Sequence, residues 1–382
     1  MKRISLVVLA IGLAFIVQFA QAQWTPAQRL TWTSGWSEWP AQAFDPQDNL
    51  HVFWSDNTTG HYELYYKKST DGGTSWTTTK RLTWASSGFG SVAVAVDSAD
   101  NIHVVGQNLP PGDGEIYYKK STDGGASWTA NKRLTWNSGS SEDPAVAVDS
   151  LGNLHVVWED YTPGESEIFY KKSTDGGVTW TASQRLTWTP GPSRFPKIAS
   201  HWSGGLYVVW EESYNGSAEV YFRKSTIGGS TWSAGQKVTW TSGNSSSPAM
   251  SVDFSGNLHL AWVDDTPGNI EIYYRKSTNG GASWSTTQRL TWTSGYSDNP
   301  ALAADSSGNP YVVWEDDVTG KEEVYCRKST DGGATWATSQ RLTWNSGYSL
   351  GPAIALDPSG FPHVLWWDNT PGNFEIYYKR SQ

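Results

Sequence analysis

The 382-residue chain has one cysteine, Cys326, and two methionines. A lone cysteine excludes an intrachain disulfide framework, so packing alone must hold the fold. Cys326 falls where five other repeats carry Tyr and one carries Phe, which marks it as a small buried apolar group rather than a reactive one. Helical periodicity is missing. Only one apolar run, Ile4 to Phe19, is long enough to engage a bilayer. It follows the basic start Met1-Lys2-Arg3 and ends at Ala20-Gln21-Ala22, a small-x-small cleavage site. It reads as a secretory signal peptide over residues 1–22, with a retained anchor as the alternative. The body, residues 23–382, is then a secreted extracellular or periplasmic protein, monomeric and not inserted in a membrane. Positive charge is also scarce. Without Lys2 and Arg3 there are 26 basic residues against 37 acidic ones, a net charge of −11. This disfavours nucleic acid and anionic membranes as partners and leaves cations and neutral sugars open.

What the chain has in abundance is repetition. A Ser-Thr-Asp-Gly-Gly-x-Ser/Thr-Trp block starts at Ser69, Ser121, Ser173, Ser225, Ser277 and Ser329, a fixed step of 52 residues with no insertion or deletion. A strict period of this size means stacked supersecondary units that bury their apolar faces only against one another, and it overrides the two-domain expectation from length. In the third unit, Pro144 to Asp149, Leu154 to Trp158, Glu167 to Ser173 and Trp180 to Trp188 read as four strands, bounded by Gly, Pro, Asn and Asp. Four antiparallel strands per repeat predict an all-β fold, a β-propeller. Third strands open seven times, at Glu63, Glu115, Glu167, Glu219, Glu271, Glu323 and Glu375. Fourth strands end seven times, at Trp32, Trp84, Trp136, Trp188, Trp240, Trp292 and Trp344. Seven blades follow, the N-terminal strand closing the ring on the last blade; six would strand one copy.

Most repeated residues read as scaffold. Asp71, Asp123, Asp175, Asn279 and Asp331 can accept backbone N–H bonds within their own turns, Gly72 and Gly73 permit positive φ, and Trp76 is expected to pack back over the hairpin. Ile227 stands in this column in the fourth unit and accepts nothing. Twenty of the 24 tryptophans lie on the lattice and are expected to pack between blades. The third-strand glutamates are expected to form surface ion pairs with fourth-strand bases such as Arg81 and Arg133.

The block resembles the Asp-box, or BNR repeat, of the sialidase superfamily, Ser-x-Asp-x-Gly-x-x-Trp. Residues 69–76, 121–128, 173–180 and 329–336 match in full; 225–232 and 277–284 differ at Ile227 and Asn279. The resemblance implies boxes joining third to fourth strands on a lower face and a ligand site on the upper face. A sialidase would also be expected to have six blades, three arginines around the sugar carboxylate, a Tyr/Glu nucleophile pair and an Asp acid/base. Its Arg-Ile-Pro motif is missing; Arg194-Phe195-Pro196 is the nearest string, and Arg194 alone among the arginines after residue 22 leaves the repeat columns. Catalysis needs convergent, symmetry-breaking residues, so the sequence points away from an enzyme and no residue is assigned as catalytic.

Symmetry does break on the expected upper face. A near-complete acidic ring (Asp56, Asp160, Glu212, Asp264, Asp316 and Asp368, with Asn108 in the seventh place) follows the second strands. It reads as a solvated rim, with calcium as the alternative, held by Asp160, Asp264, Asp265, Asp316 and Asp317. No other cofactor is implied. Four tryptophans are off the lattice: Trp36, Trp39, Trp202 and Trp367. Ring closure brings Trp36, Glu38 and Trp39 beside Trp367, Asp368 and Tyr348, and aromatics with carboxylates suit a sugar; seam packing is the alternative. Trp202 is expected on the lower face, capping a turn. The function that follows is non-catalytic glycan recognition through these residues and Arg194. A sialidase-like hydrolase, or a scaffold for a cell-surface protein at the cell envelope, is the alternative.

Overall fold

The computed structural model describes residues 23–84, 88–108, 114–162 and 164–382; the expected leader, residues 1–22, lies outside them. Seven four-stranded antiparallel sheets follow one another, each in strand order one to four. The third blade shows the unit: Ser141–Val148, Leu154–Asp160, Glu167–Ser173 and Gln184–Arg185. First strands of neighbouring blades touch around the whole ring and so lie nearest the axis. The seventh blade, Ser349–Leu356, Pro362–Asp368 and Glu375–Arg380, is completed by Gln28–Arg29. Gln28 pairs with Tyr378 and Arg29 with Tyr377, so the N-terminal segment closes the ring as expected.

Second strands carry near-continuous apolar runs because both faces are covered. Leu154–Asp160 is buried at every position. Val157, Ile168, Tyr170 and Leu186 of the third blade pack against Val208 and Trp210 of the fourth. Second-strand Trp54, Trp158, Trp210, Trp262, Trp314 and Trp366 are the largest fully buried side chains, the inter-blade role expected of them.

Five local expectations need correction. First strands begin earlier, at Ser141 rather than Pro144, and carry a bulge between Glu142 and Ala145. Only Gln184–Arg185 of the expected strand Trp180 to Trp188 is paired, because threonine side chains enter the ladder: Ile168 N donates to Thr187 Oγ1 at 2.8 Å. Trp76 crosses to the preceding blade, meeting Tyr378 edge-on at 5.2 Å, instead of folding over its own hairpin. The fourth-strand tryptophans do not pack between blades. Their strand is the outermost, and they are 63–73% exposed. The third-strand glutamates do bind fourth-strand bases, as in Arg81–Glu63 and Arg185–Glu167, but with buried carboxylates rather than at the surface.

The lower face is nearly uniform. Asp71 Oδ1 accepts from Ser75 N at 2.8 Å and Ser69 Oγ at 2.9 Å, and Oδ2 from Ser75 Oγ at 2.5 Å. Asp123, Asp175 and Asp331 repeat the pattern, and Asn279 keeps it through its amide. These bonds hold the four aspartates low, at about 2. A Cβ on Gly73 would fall 1.9 Å from Tyr378 Oη, so the box packs directly against the neighbouring blade. Behind the boxes runs a buried relay absent from the sequence-based expectations. His51 contacts Tyr66 Oη at 2.8 Å through Nδ1 and Asp45 Oδ2 at 3.0 Å through Nε2. It recurs at His103, His155 and His259, and at His363 with the tyrosine contact alone, Asp357 lying 3.5 Å from Nε2. Trp202, as expected, caps a turn, donating to Phe254 O at 2.9 Å.

Candidate functional site

The upper inner rim is where the blades differ. Each first strand bulges there, and in every blade but the second the bulge holds a left-handed residue, Trp39, Asp143, Phe195, Ser247, Asn299 or Gly351, all at φ between 46° and 54°. A left-handed backbone at five non-glycine residues stores strain that surrounding structure must hold. Part of the hold is a carboxylate from the preceding blade. Glu159 Oε2 accepts from Phe195 N at 3.2 Å, and Glu315 Oε2 from Gly351 N at 2.7 Å. Burial pushes both glutamates up, to about 7. Glu211, which accepts from Ser247 N, is raised by the same cause.

Two places on this rim break the pattern most. At the seam of blades seven and one, Trp39 lies 6.0 Å from Trp367 and 5.1 Å from Tyr62, centroid to centroid. Trp367 meets Phe374 at 5.0 Å, and Trp36 meets Phe374 edge-on at 6.0 Å. Trp36 is 49% exposed and Trp39 37%. Beneath them Glu38 is buried and accepts from Tyr62 Oη at 2.5 Å; desolvation raises its carboxyl. The bulge glycine of blade seven makes room: a Cβ on Gly351 would fall 2.2 Å from Trp367 Nε1. Trp36, Glu38, Trp39 and Trp367 are thus brought together as expected. Tyr348 is exposed beside Lys321, outside this cluster, its N–H held by Asn369. Tyr62 and Phe374 were missed. They precede the third-strand glutamates, where other blades have Gly114, Ser166, Ala218, Ile270 and Glu322.

The second place joins blades three and four. Arg194 Nε is buried without a hydrogen-bond partner. Lys197 stands on the same innermost strand where the other six blades have Ala, open to solvent along the axis although protein walls it in. Desolvation lowers its ammonium, opposed by Asp143 and Glu159. Tyr161 Oη donates to Glu159 Oε1 at 3.3 Å.

The acidic ring is neither a solvated rim nor a convergent cation cage. Asp368 is fully buried, accepting from Ser349 Oγ at 2.7 Å and Thr370 N at 2.8 Å. Asp160, Asp264 and Asp316 make the same serine and backbone bonds in their own blades. Each ends a second strand directly opposite a first-strand serine, so it turns inward rather than toward its equivalents. Asp265 and Asp317 accept from Asn244 N and Tyr296 N. Among the described residues no group of three or more His, Cys, Asp or Glu could hold a metal.

Neither a family model nor a curated protein matches the chain. Solved structures do. A polysaccharide lyase described as an ulvan lyase superposes with a TM-score of 0.65 at 11% identity, covering 91% of this chain and 94% of its own. The shared property is the propeller fold. A protein of unknown function from Dyadobacter fermentans gives 0.58 at 13% identity over 93% and 99%. A sialidase from Streptococcus pneumoniae gives 0.51 at 13% over 92% and 70%.

Proposed function

We propose that this is a secreted glycan-binding propeller that holds a sugar without cleaving it, at the seam of blades seven and one. The observation that carries this reading is the pair of exposed indoles, Trp36 and Trp39, over the buried Glu38–Tyr62 hydrogen bond. Indole faces stack on the C–H surface of a pyranose while a fixed carboxylate orients hydroxyls. The box hydrogen bonds support an Asp-box propeller of the sialidase type. Propellers of this shape include a lyase, sialidases and an arabinofuranosidase, which favours a sugar over a cell-surface protein as the ligand. Binding is calcium-independent in this reading, because each rim carboxylate is bonded within its own blade.

A glycan array probed with residues 23–382, with and without calcium, tests it. Trp36→Ala and Trp39→Ala are expected to abolish the signal, at little-changed melting temperature for half-exposed Trp36 and at a lower one for Trp39, whose ring packs on Tyr62 and Trp367. Trp367→Ala, whose ring packs on Phe374, is expected to lower stability as well. A blank array in both conditions would move the reading to a protein-binding scaffold. A hydrolase is the second reading, favoured by Glu159, held near 7 beside Tyr161 with the unpartnered Arg194 close by. Fluorophore release from a sialic-acid conjugate, lost in Arg194→Ala, would establish it in place of the first.

A further inference from the structure

The outer rim carries a second and separate set of sites. The seven fourth-strand tryptophans are about two-thirds exposed, although buried second-strand tryptophans already hold the blades together. Solvent-facing indoles in a sevenfold array are unusual on a soluble surface and mark an interaction site. Each indole lies 5.0–5.8 Å from at least one cationic group. Trp32, Trp136, Trp188, Trp292 and Trp344 each have two, one from their own blade and one from the third strand of the next.

The two cations differ in charge balance. The own-blade arginine is neutralised: Arg185 pairs with Glu167 at 2.6 Å and Arg289 with Glu271 at 2.7 Å. At Trp32, Trp136 and Trp292 the next-blade cation is not. Lys67 Nζ donates to Leu30 O at 2.6 Å, Lys171 to Leu134 O, and Arg327 to Leu290 O. A carbonyl supplies no counter-charge, and among the described residues no carboxylate pairs with these three. These three grooves therefore present an open indole face next to one uncompensated positive charge, the two lysines being themselves more than nine-tenths buried, on a chain that is acidic overall.

We propose that these grooves bind an acidic polysaccharide, the indole stacking on a sugar face and the free cation meeting a carboxylate or sulfate. Repetition matters as much as chemistry. One polymer chain can engage several grooves, so weak contacts combine into tight binding. At physiological salt the chain's net negative charge is screened beyond about 8 Å, which leaves the local pair to decide. The inference does not rest on the upper-face reading.

The experiment is affinity electrophoresis of residues 23–382 in gels containing polygalacturonate, dextran sulfate, neutral dextran or a single-stranded oligonucleotide. Retardation by the two acidic polymers, weakened by salt and absent with dextran, is expected. A single Trp136→Ala should weaken it less than twofold, and Trp136→Ala/Trp188→Ala/Trp292→Ala at least tenfold. Lys67→Gln/Lys171→Gln/Arg327→Gln leaves every indole in place and should weaken only acidic-polymer binding; it carries the test if the tryptophan triple misfolds. Trp39→Ala should change nothing here. Unaltered retardation in the folded triples, equal retardation by dextran, or preference for the oligonucleotide would each overturn the proposal.

Discussion

The two faces of the ring use one framework in opposite ways. On the lower face, box, relay and turn recur with nearly the same partners in most blades, and the unpartnered groups there, the box indoles Trp128, Trp232, Trp284 and Trp336 and His363 Nε2, follow the repeat. On the upper inner rim the same strand ends carry six residue types at seven positions, five non-glycine residues at positive φ, raised carboxyls and an arginine Nε without a partner. Repetition of one bonding pattern contributes stability; departures that strain the backbone and break the pattern mark a surface kept for something else. Blades four and six sharpen the contrast, because there the lower face varies and still compensates. Tyr207 and Tyr311 replace the relay histidine, and Phe222 and Cys326 replace the relay tyrosine. The larger ring at one position goes with loss of the hydroxyl at the other, which also accounts for the single cysteine.

Breaking that compensation should give the largest effect. His259→Tyr puts a second phenol against Tyr274 and removes a ring bonded to Asp253 and Tyr274. Overpacking plus an unmatched buried acceptor should destabilise by about 3 kcal/mol, read from the urea midpoint. His259→Tyr/Tyr274→Phe reproduces the blade-four pair and should recover all but about 1 kcal/mol. Equal loss in both variants would show that the pairing is coincidental.

The faces should also answer pH in opposite senses. Burial lowers the five relay histidines, His363 to about 4, so in the fold they stay neutral while the unfolded chain takes up protons near 6.5. Their contribution is complete above 6.5 and is lost as pH falls toward 4. Glu159 and Glu315 are raised to about 7 from 4.5, so the folded chain holds the extra protons and stability falls as pH rises from 4.5 to 7. Glu315→Gln keeps an amide oxygen for Gly351 N and removes the ionisable group. Its melting temperature should exceed that of the parent at pH 8, by on the order of 2 kcal/mol in stability, and match it at pH 5. A gain that does not depend on pH would separate the rim from proton linkage.

Much of this was legible in the sequence because a 52-residue step without insertions lets columns be counted. Blade number, strand order, ring closure and the meeting of Trp39 with Trp367 follow from that count. The fate of the carboxylates did not. Two polar columns sit side by side at the second-strand ends, Ser55 to Trp367 and Asp56 to Asp368. Only the register, Asp160 against Ser141, shows that the second is buried and the first faces the next blade's bulge. Alternation alone does not reveal which strand is outermost, so the exposed fourth-strand indoles read as core. Lys197, Tyr62 and Phe374 stand in the sequence as departures from their columns, but a single departure does not show which side chains it meets.

The smallest expected effect restores uniformity instead of breaking it. In the fourth box Ser225 Oγ still accepts from Gly229 N at 2.9 Å, but exposed Ile227 offers no acceptor. The groups that would meet a carboxylate are already there, since Thr231 stands where Ser75 and Thr179 bond Asp71 and Asp175. Ile227→Asp should therefore stabilise by about 1 kcal/mol, the net worth of exposed turn bonds competing with water, and raise the melting temperature by about 2 °C. The other box aspartates are held at about 2, so the gain should be complete above 3.8 and fade as pH falls toward 2. A melting temperature that is unchanged or lower at neutral pH would mean that the serine and the two glycines hold the turn alone. The box aspartate would then owe its repetition to something other than stability, and the uniform face would lose its contrast with the varied one.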